Sequence, residues 1–320
     1  MKKIVILGNS IAGVKAAELI RSTDKDSSIS IYSFDKNYPY DAALLCEVAR
    51  KQKSINEIFY RPKDFYKDNA IEVVTDKEIT RVNVNRKKIF FEDRKQVDYD
   101  VLLITDCPKY KFPDIKGANK EGIYGIERIL DIQTIVDLLP VTETICIEAR
   151  QSAGLQFALA LGSHKKEVLL IVPVQSPLNE LLHSDQKEAL MKLLDDSGVT
   201  LLADNVIAEI LGDIETKAVR LESGKIYASQ MILFDSVTRD LRLYEDERLK
   251  MEAKIAVDAS FRTSVENVFA LDRVCQPPKD QQPALTLEQE GECVAACLAS
   301  LDNQPSASIP EPGTDAKILK

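Results

Sequence analysis

Residues 4–20 decide the fold, and they read Ile-Val-Ile-Leu-Gly-Asn-Ser-Ile-Ala-Gly-Val-Lys-Ala-Ala-Glu-Leu-Ile. The four leading apolar residues suit a short strand buried on both faces, and small or apolar residues then recur at helical spacing. Between them lies Gly8-Asn9-Ser10-Ile11-Ala12-Gly13, a Gly-x-Ser-x-x-Gly turn. Gly8 permits a tight turn, the small Ser10 lets backbone approach a pyrophosphate, and Gly13 lets the helix pack close to the strand. The helix N-terminus offers unpaired N–H groups to phosphate. We therefore predict that residues 8–13 form a dinucleotide-binding turn.

The composition is that of a globular protein with room for two domains. The chain has 320 residues, of which 45% are hydrophobic and 29% charged, as in ordinary soluble proteins. Its net charge of -9 repels nucleic acid and acidic membrane surfaces, so we expect neither as a partner. The apolar run at residues 168–174 is interrupted by a proline and is too short to cross a bilayer, so we expect a cytoplasmic protein.

The cysteines and histidines predict no metal site. None of the six cysteines forms a Cys-x-x-Cys pair, and the two histidines stand apart from them. Cys293 and Cys297 lie four residues apart in a predicted helix, where both face the same way, and we interpret them as buried thiols. Cys46 and Cys107 lie near the predicted nucleotide site, where a reactive role would require a basic neighbour that lowers the pKa of the thiol.

The first half of the chain continues the pattern of a nucleotide-binding unit. Residues 29–32 read as a second strand, after which Asp35 is the acid available to hold a ribose, displaced by one position from the expected spacing. A helical, charged segment then ends near Asp68. Short alternating runs at residues 71–74, 79–84 and 88–91 predict a small antiparallel meander, and the run at 101–105 returns to the main sheet.

A second unit with the same order of parts follows. The pattern predicts a helix at residues 130–139, a strand at 144–147, a turn that ends at Gly154 and a helix at 155–161. Further strands at 168–172 and 199–202 flank a helix at 185–195. We therefore predict an α/β protein with two Rossmann-like dinucleotide-binding units.

This order resembles the pyridine nucleotide-disulfide oxidoreductase superfamily, especially the flavoprotein reductases related to nitrite reductase large subunits and rubredoxin reductases. The resemblance rests on residues 8–18 and on the segments Pro-Lys-Asp-Phe-Tyr (62–66), Tyr-Asp-Val-Leu-Leu-Ile (99–104) and Arg-Thr-Ser-Val-Glu-Asn-Val-Phe-Ala (262–270). It implies an FAD-binding domain at 1–116 and 241–302, an inserted NAD(P)-binding domain at 117–240, and a tail or remnant of an interface domain at 303–320. It also implies that the backbone of Ile79 meets the adenine ring, and that a final helix from Thr286 points its N-terminus at the flavin.

The sequence departs from the family pattern at the nicotinamide nucleotide site. Ala149, Gln151 and Gly154 stand where the family has a second glycine fingerprint. Two of these residues bring side chains to a turn where phosphate must approach backbone. The strand that should end in a ribose-binding acid ends at Val172 instead. We therefore expect no ordinary NAD(P)H binding.

Further departures lie at the turns that would face the flavin. Asp106, Asp235 and Asp272 stand at three glycine positions of the family, and Arg273 replaces the acid that normally follows the last of them. The three aspartates would add negative charge near a diphosphate, and Arg273 would offset part of it. Aspartate also tolerates unusual turn dihedrals, so the fold can persist without the ligand. Lys36 stands where disulfide-reducing relatives carry a redox cysteine.

Three hypotheses about function remain open. In the first, the protein has lost NAD(P)H-dependent hydride transfer and acts as a non-catalytic partner-binding or regulatory subunit that can retain FAD or its ADP half. In the second, it is an FAD-dependent oxidoreductase that receives electrons from a protein such as a ferredoxin or rubredoxin. In the third, the insert uses another nucleotide through Glu148, Arg150 and Gln151. The resemblance leaves the identity of the partner and the oligomeric state open.

Overall fold

Two five-stranded parallel sheets form the framework of the protein in the computed structural model, which describes residues 1–105, 110–239, 241–278 and 285–302. In chain order the strands are β1 (Lys3–Leu7), β2 (Ser28–Tyr32), β3 (Ile71–Val74), β4 (Ile79–Asn83), β5 (Lys88–Phe91), β6 (Gln96–Asp98), β7 (Val101–Ile104), β8 (Tyr110–Lys111), β9 (Ile123–Gly125), β10 (Thr144–Glu148), β11 (Glu167–Val172), β12 (Val199–Ala203), β13 (Ile207–Leu211), β14 (Ala218–Leu221), β15 (Ile226–Ala228), β16 (Met231–Phe234), β17 (Thr238–Arg239), β18 (Ile255–Ala256), β19 (Val268–Ala270) and β20 (Cys275–Gln276).

The predicted helices occur in the predicted order, with one segment divided, and the short helix α6 was not predicted. They are α1 (Ile11–Thr23), α2 (Leu45–Ala49), α3 (Lys63–Asp68), α4 (Ile129–Leu138), α5 (Ser152–Gly162), α6 (Leu178–Leu182), α7 (Lys187–Asp196) and α8 (Leu287–Asp302). The helical, charged segment that we expected to end near Asp68 consists of the short helices α2 and α3. Lys51, with φ 61°, lies just beyond α2, and Pro62 directly precedes α3. In the part of the chain that the structure describes, no helix is long and apolar enough to cross a membrane.

The first sheet has the order β19-β7-β1-β2-β3, and its neighbouring strands are parallel. The four apolar residues that open the chain are each no more than 3% exposed, because helices or loops cover both faces of β1. Strand β19 joins this sheet although it follows the second sheet in the chain. The predicted insertion of one unit into the other is therefore confirmed.

The second sheet has the order β12-β11-β10-β16-β9, again with parallel neighbours. Its strands β10, β11 and β12 lie within one residue of the predicted ones. The α/β fold with two Rossmann-like units is confirmed. The exact domain boundaries at residues 116, 240 and 302 stay predictions, and the segment 303–320 lies outside the described residues.

Each unit also carries a three-stranded antiparallel sheet. The sheet β4-β5-β6 contains two of the three runs predicted as a meander, and β6 was not predicted. The prediction was wrong for residues 71–74, because this run pairs in parallel with β2 and is the edge strand β3 of the first sheet. The sheet β13-β14-β15 in the insert was not predicted. The sequence signal for this second meander is the pair of glycines at the turns beside its strands. In the structure Gly212 and Gly224 adopt φ values of 140° and 81° there. Glycine adopts these values without steric cost.

Helix α8 packs directly behind the first turn. A Cβ atom placed on Gly291 would lie 2.5 Å from the carbonyl oxygen of Ala12 in α1. Glycine at this position therefore allows the backbones of α1 and α8 to approach closely. This packing places the first turn of α8 beside the end of β19, where the candidate site lies.

Candidate functional site

The first turn has the backbone geometry that its glycines predict. Gly8 adopts φ 115°, and its N–H donates to the carbonyl of Tyr32 at 2.9 Å. A Cβ on Gly13 would lie 2.9 Å from Cγ2 of Ile6 and 3.1 Å from Cγ2 of Thr105. The two glycines thus serve the turn and the close helix packing, as expected from their spacing.

Ser10 is the N-cap of α1, and its hydroxyl is hydrogen-bonded to a carboxylate. Its Oγ accepts the N–H of Ala12 at 3.2 Å and donates to Oδ2 of Asp272 at 2.8 Å. Ile11 opens the helix and is half-buried. The serine was predicted to leave room for a pyrophosphate, but in this structure its side chain binds another part of the chain.

Asp272 adopts a glycine-like conformation at the end of β19. Its φ is 60°, so aspartate tolerates the turn where the family has glycine. Its Oδ1 accepts the N–H of Arg273 at 2.7 Å, and its own N–H donates to Oε2 of Glu290 at 2.6 Å. Burial raises the pKa of Glu290 to about 7, and the nearby carboxylate of Asp272 raises it as well. Two acidic side chains therefore face the turn that would hold a diphosphate.

Arg273 points toward the insert. Its guanidinium lies 2.8 Å from Oε2 of Glu127, which is 13% exposed and precedes α4. Arg273 itself is 45% exposed. The positive charge of Arg273, which was expected to offset the acidic residues around the turn, therefore also pairs with Glu127.

Asp35 orders the loop in which it lies. Its Oδ1 accepts the N–H and the side-chain amide of Asn37 at 2.8 and 2.9 Å, and its Oδ2 accepts the Tyr40 hydroxyl at 3.1 Å. A cleft of about 310 Å³ opens beside this loop, lined by Asp35 and by Arg128 and Leu130 from the insert. The carboxylate is near the predicted ribose position but already has three donors.

Ile79 and Asn9 belong to different sheets of the first unit, Ile79 to the meander and Asn9 to the turn after β1. Ile79 begins β4, two residues after Lys77, whose N–H donates to the carbonyl of Ser33 at 2.9 Å. Oδ1 of Asn9 is buried and has no hydrogen-bond partner among the described residues. The carboxyl ends of parallel strands meet at one edge of a sheet. At this edge Ser10 contacts Asp272, the neighbour of Arg273, and the side-chain amide of Asn9 donates to the carbonyl of Tyr38 in the loop after Asp35 at 3.5 Å. The roles of these residues in binding a nucleotide stay predictions. Asp106 and Cys107 lie outside the described residues.

Asp235 closes the turn of the second unit. This residue follows β16 and is 1% exposed. Its Oδ1 accepts the N–H of Arg150 at 2.7 Å, and its Oδ2 accepts the N–H groups of Gln151 and Gly154 at 2.8 and 3.0 Å. Gln151 is the N-cap of α5 and has no side-chain capping hydrogen bond. The cap of α5 thus comes from a different strand.

The contacts of Asp235 use the donors that a phosphate would need. Unpaired N–H groups at the start of a helix are the usual anion site of a Rossmann unit. Burial raises the pKa of Asp235 to about 6, while its three backbone donors act in the opposite direction. A Cβ on Gly154 would lie 2.6 Å from Oδ2 of Asp235, so glycine is required for this contact.

Glu148 and Arg150 bind each other and the adjacent sheet. Glu148 is 1% exposed, and its Oε1 accepts Nε of Arg150 at 2.8 Å while its Oε2 accepts the N–H of Ile207 at 2.8 Å. These contacts support the structural interpretation of both residues over a role in binding another nucleotide. In the described part of the chain, no group of three or more His, Cys, Asp or Glu side chains is arranged to hold a metal ion.

Sequence reasoning missed three features of these sites. It treated Asp235 as an added charge and did not foresee its hydrogen bonds to residues 81 to 85 positions earlier in the chain. It also did not identify Glu127 or Glu290. The glycine-to-aspartate departure at residue 235 was a signal for the first feature, whereas no local pattern marks the two glutamates.

Known proteins resemble this chain over most of its length. The sequence profile of the family described as pyridine nucleotide-disulphide oxidoreductase matches residues 2–287. The assimilatory nitrate reductase electron transfer subunit of Bacillus subtilis is 21% identical over 98% of this chain and 42% of its own length. The NAD(P)H nitrite reductase of the same organism is 24% identical over 84% of this chain and 34% of its own length. The chain therefore spans less than half of these two Bacillus proteins.

Relatives of more similar length include electron-transfer reductases. The NADH-rubredoxin oxidoreductase of Clostridium acetobutylicum is 24% identical over 97% of this chain and 78% of its own length. The crystal structure of NADH:rubredoxin oxidoreductase from that organism has a TM-score of 0.76, with 24% identity and coverage of 100% of this chain and 79% of that one. Putidaredoxin reductase, solved in a covalent complex with putidaredoxin, has a TM-score of 0.83 at 15% identity, with coverage of 93% and 75%. These structures show the same fold.

Proposed function

Because the chain belongs to the pyridine nucleotide-disulphide oxidoreductase family, we propose that it is a flavoprotein-reductase-like subunit that has lost NAD(P)H oxidation and acts through a protein partner. The observation that carries this proposal is the contact of Asp235 with three N–H groups at the start of α5. The nitrite reductase and the rubredoxin oxidoreductase described above carry NAD(P)H or NADH in their names. The loss of NAD(P)H oxidation is therefore supported by the residues of this chain and not by its relatives.

A pyrophosphate would have to displace the Asp235 carboxylate in order to bind. Burial of the carboxylate offsets part of what these hydrogen bonds contribute. Displacing it would still leave the N–H groups without partners unless the ligand replaced all three, at about 1–3 kcal/mol for each buried donor left unpaired. A pyrophosphate would also bring negative charge close to Asp235 and to the buried Glu148. Ala149 is fully buried against Gly154, so only the exposed side chain of Gln151, at the N-cap of α5, would narrow the same approach. These effects all oppose dinucleotide binding in the insert.

The backbone of the first unit can accommodate FAD, whereas some of its side chains would repel the cofactor. Residues 8–13 would hold the pyrophosphate, Asp35 the ribose and the backbone of Ile79 the adenine, with Arg273 near the phosphates. FAD is the cofactor of flavoprotein reductases and would supply the redox chemistry when bound. The carboxylates of Asp272 and Glu290 lie where they would repel it. We infer that FAD or its ADP half binds weakly and that the role of the protein does not require hydride transfer.

We expect a subunit with these two altered nucleotide sites to act by binding a protein partner. One relative is named an electron transfer subunit, and one similar structure is a reductase in complex with its electron carrier. A subunit that keeps the reductase fold can present the partner-binding surface of a reductase without catalysing hydride transfer. Our second candidate is an FAD-dependent oxidoreductase that receives electrons from a ferredoxin or rubredoxin. The observation that favours it is the intact backbone of the first turn.

The test records visible absorption spectra and then follows reduction of any bound flavin by two kinds of electron donor, which are reduced ferredoxin or rubredoxin and NADH or NADPH. The purified protein is recorded before and after incubation with excess FAD, and released nucleotide is analysed after denaturation. A colourless protein that stays colourless supports the non-catalytic subunit. The second candidate is supported if reduced ferredoxin or rubredoxin bleaches the bound flavin, whereas NADH and NADPH leave its absorption unchanged. Anaerobic bleaching of bound flavin by NADH or NADPH would overturn the loss of NAD(P)H oxidation.

A further inference from the structure

A carboxylate on the first turn of α8 faces the first nucleotide turn. Oε2 of Glu290 accepts the N–H of Asp272, at the end of β19, at 2.6 Å. The neighbouring Gly291 allows this position, because a Cβ atom on it would lie 2.5 Å from the carbonyl oxygen of Ala12 in α1. Glu290 is therefore held beside the N-terminus of α1, where residues 8–13 would bind a diphosphate.

A second carboxylate separates Glu290 from the turn. Oδ2 of Asp272 accepts the hydroxyl of Ser10 at 2.8 Å, so a diphosphate beside Ser10 would meet this carboxylate first. When Glu290 is ionised, it adds another negative charge directly behind Asp272. Like charges this close disfavour one another, and the repulsion is relieved when one acid takes up a proton.

The surroundings of Glu290 supply little positive charge. The charged and titratable groups that face it are Asp272, Lys254 before β18, Cys275 in β20 and Lys15 of α1. Lys254 is exposed, and the ammonium of Lys15 lies 3.6 Å from Glu292. Among the described residues, no cation forms an ion pair with Glu290. Its negative charge is therefore poorly compensated.

Glu290 can change its charge without losing its hydrogen bond. Burial and the carboxylate of Asp272 raise the pKa of Glu290 to about 7, against the opposing effects of the Asp272 N–H and of Lys254. Near neutral pH the side chain is divided between its neutral and charged forms. A protonated carboxyl keeps an oxygen that can accept the Asp272 N–H. Protonation thus changes the charge beside the turn and leaves the backbone contact in place.

We propose that Glu290 couples nucleotide binding at the first turn to proton uptake: a nucleoside diphosphate or dinucleotide binds residues 8–13 together with one proton from solvent, which Glu290 carries. The neutral carboxyl does not repel the phosphates, whereas the ionised one adds to the charge of Asp272. Oδ1 of Asn9, in the same turn, is buried without a hydrogen-bond partner among the described residues, and a nucleotide hydroxyl would satisfy it. The coupling rests on the proposed function, in which FAD or its ADP half binds this turn weakly.

The test is a flavin fluorescence titration with FAD at about pH 6 and about pH 8. FAD is the probe because its diphosphate has no group that titrates between these values. If only the protonated form of Glu290 permits binding, the Kd should rise about tenfold between them. Glu290→Gln should bind FAD equally well at both pH values. Glu288→Gln removes an exposed carboxylate from the same helical turn and should keep the tenfold dependence.

Two further measurements follow the proton itself. Calorimetry in buffers of different ionisation enthalpy should show uptake of about half a proton per FAD at pH 7, where about half of the free protein is already protonated. The free energy of unfolding of the unaltered protein, minus that of Glu290→Gln, should fall as pH rises through 7. The sign follows because the pKa of Glu290 is raised from 4.5 in the folded state. Circular dichroism confirms that each variant is folded.

The coupling would be overturned by a Kd that is the same at both pH values, or by Glu290→Gln keeping the dependence. A flat difference curve for unfolding would overturn it as well. Absence of FAD binding to both proteins at pH 6 would also overturn it, but would leave the loss of NAD(P)H oxidation standing. Bleaching of bound flavin by NADH would instead refute the proposed function, while the pH dependence of FAD binding could still be measured.

Discussion

The replacement Asp235→Asn tests the buried carboxylate that closes the second turn. The substitution keeps the size of the side chain and removes its charge. Burial raises the pKa of Asp235 from 3.8 to about 6 in the folded protein. Between these two pH values the folded state holds a proton that the unfolded state has released. The stability contributed by this group is therefore present below about pH 4 and is lost as pH rises through 6.

The size of the effect follows from the shift. A difference of about 2 pKa units corresponds to about 3 kcal/mol, since each unit is worth about 1.4 kcal/mol. The free energy of unfolding of the unaltered protein, minus that of Asp235→Asn, should fall by about 3 kcal/mol between pH 4 and pH 7. The subtraction cancels other titrating groups, including Glu290, whose pKa is also raised.

Urea unfolding at a series of pH values measures this difference. Asp213→Asn is the matched control, because its side chain is 92% exposed in the same unit, and its difference curve should be flat. A flat curve for Asp235→Asn would refute the reasoning. A curve that rises with pH would show that the three N–H donors outweigh burial and that the carboxylate is a stabilised anion.

Four further substitutions at three positions test the first turn and its surroundings. Gly291→Ala should lower the free energy of unfolding by about 1–3 kcal/mol, because the new methyl group would meet the Ala12 carbonyl at 2.5 Å; unaltered urea unfolding would contradict the α1–α8 packing. Asp272→Gly should tighten FAD binding in a flavin fluorescence titration, since it removes a carboxylate 2.8 Å from Ser10 Oγ. At φ 60° Asp272→Ala should be less stable than Asp272→Gly by about 1–2 kcal/mol, and the opposite order would argue against this turn. Ser10→Ala should cost about 1 kcal/mol in thermal unfolding through loss of the α1 cap, and no change would mean that the cap contributes little.

Much of the fold could be predicted from local patterns. The alternation of short apolar runs with helical spacing located β1, β10, β11 and α5 to within three residues at each end. The final helix was predicted to begin at Thr286, and the hydroxyl of Thr286 accepts the N–H of Gln289 at 3.3 Å while Oε1 of Gln289 accepts the N–H of Thr286 at 2.9 Å. The second meander was missed although its turn glycines are visible. Short strands separated by polar turns carry a weak signal unless a sheet is already expected there.

The sequence by itself determined the two strand–turn–helix units, because Gly8, Gly13 and the apolar runs act on neighbouring residues through backbone sterics and burial. It also showed that aspartates replace glycines at the turns. Only the tertiary structure decided what those aspartates do. Asp235 and Asp272 meet the second and first turns across 81 or more residues of chain. A hydrogen bond depends on distance and direction in space, and these arise only when parallel strands bring their carboxyl ends to one edge.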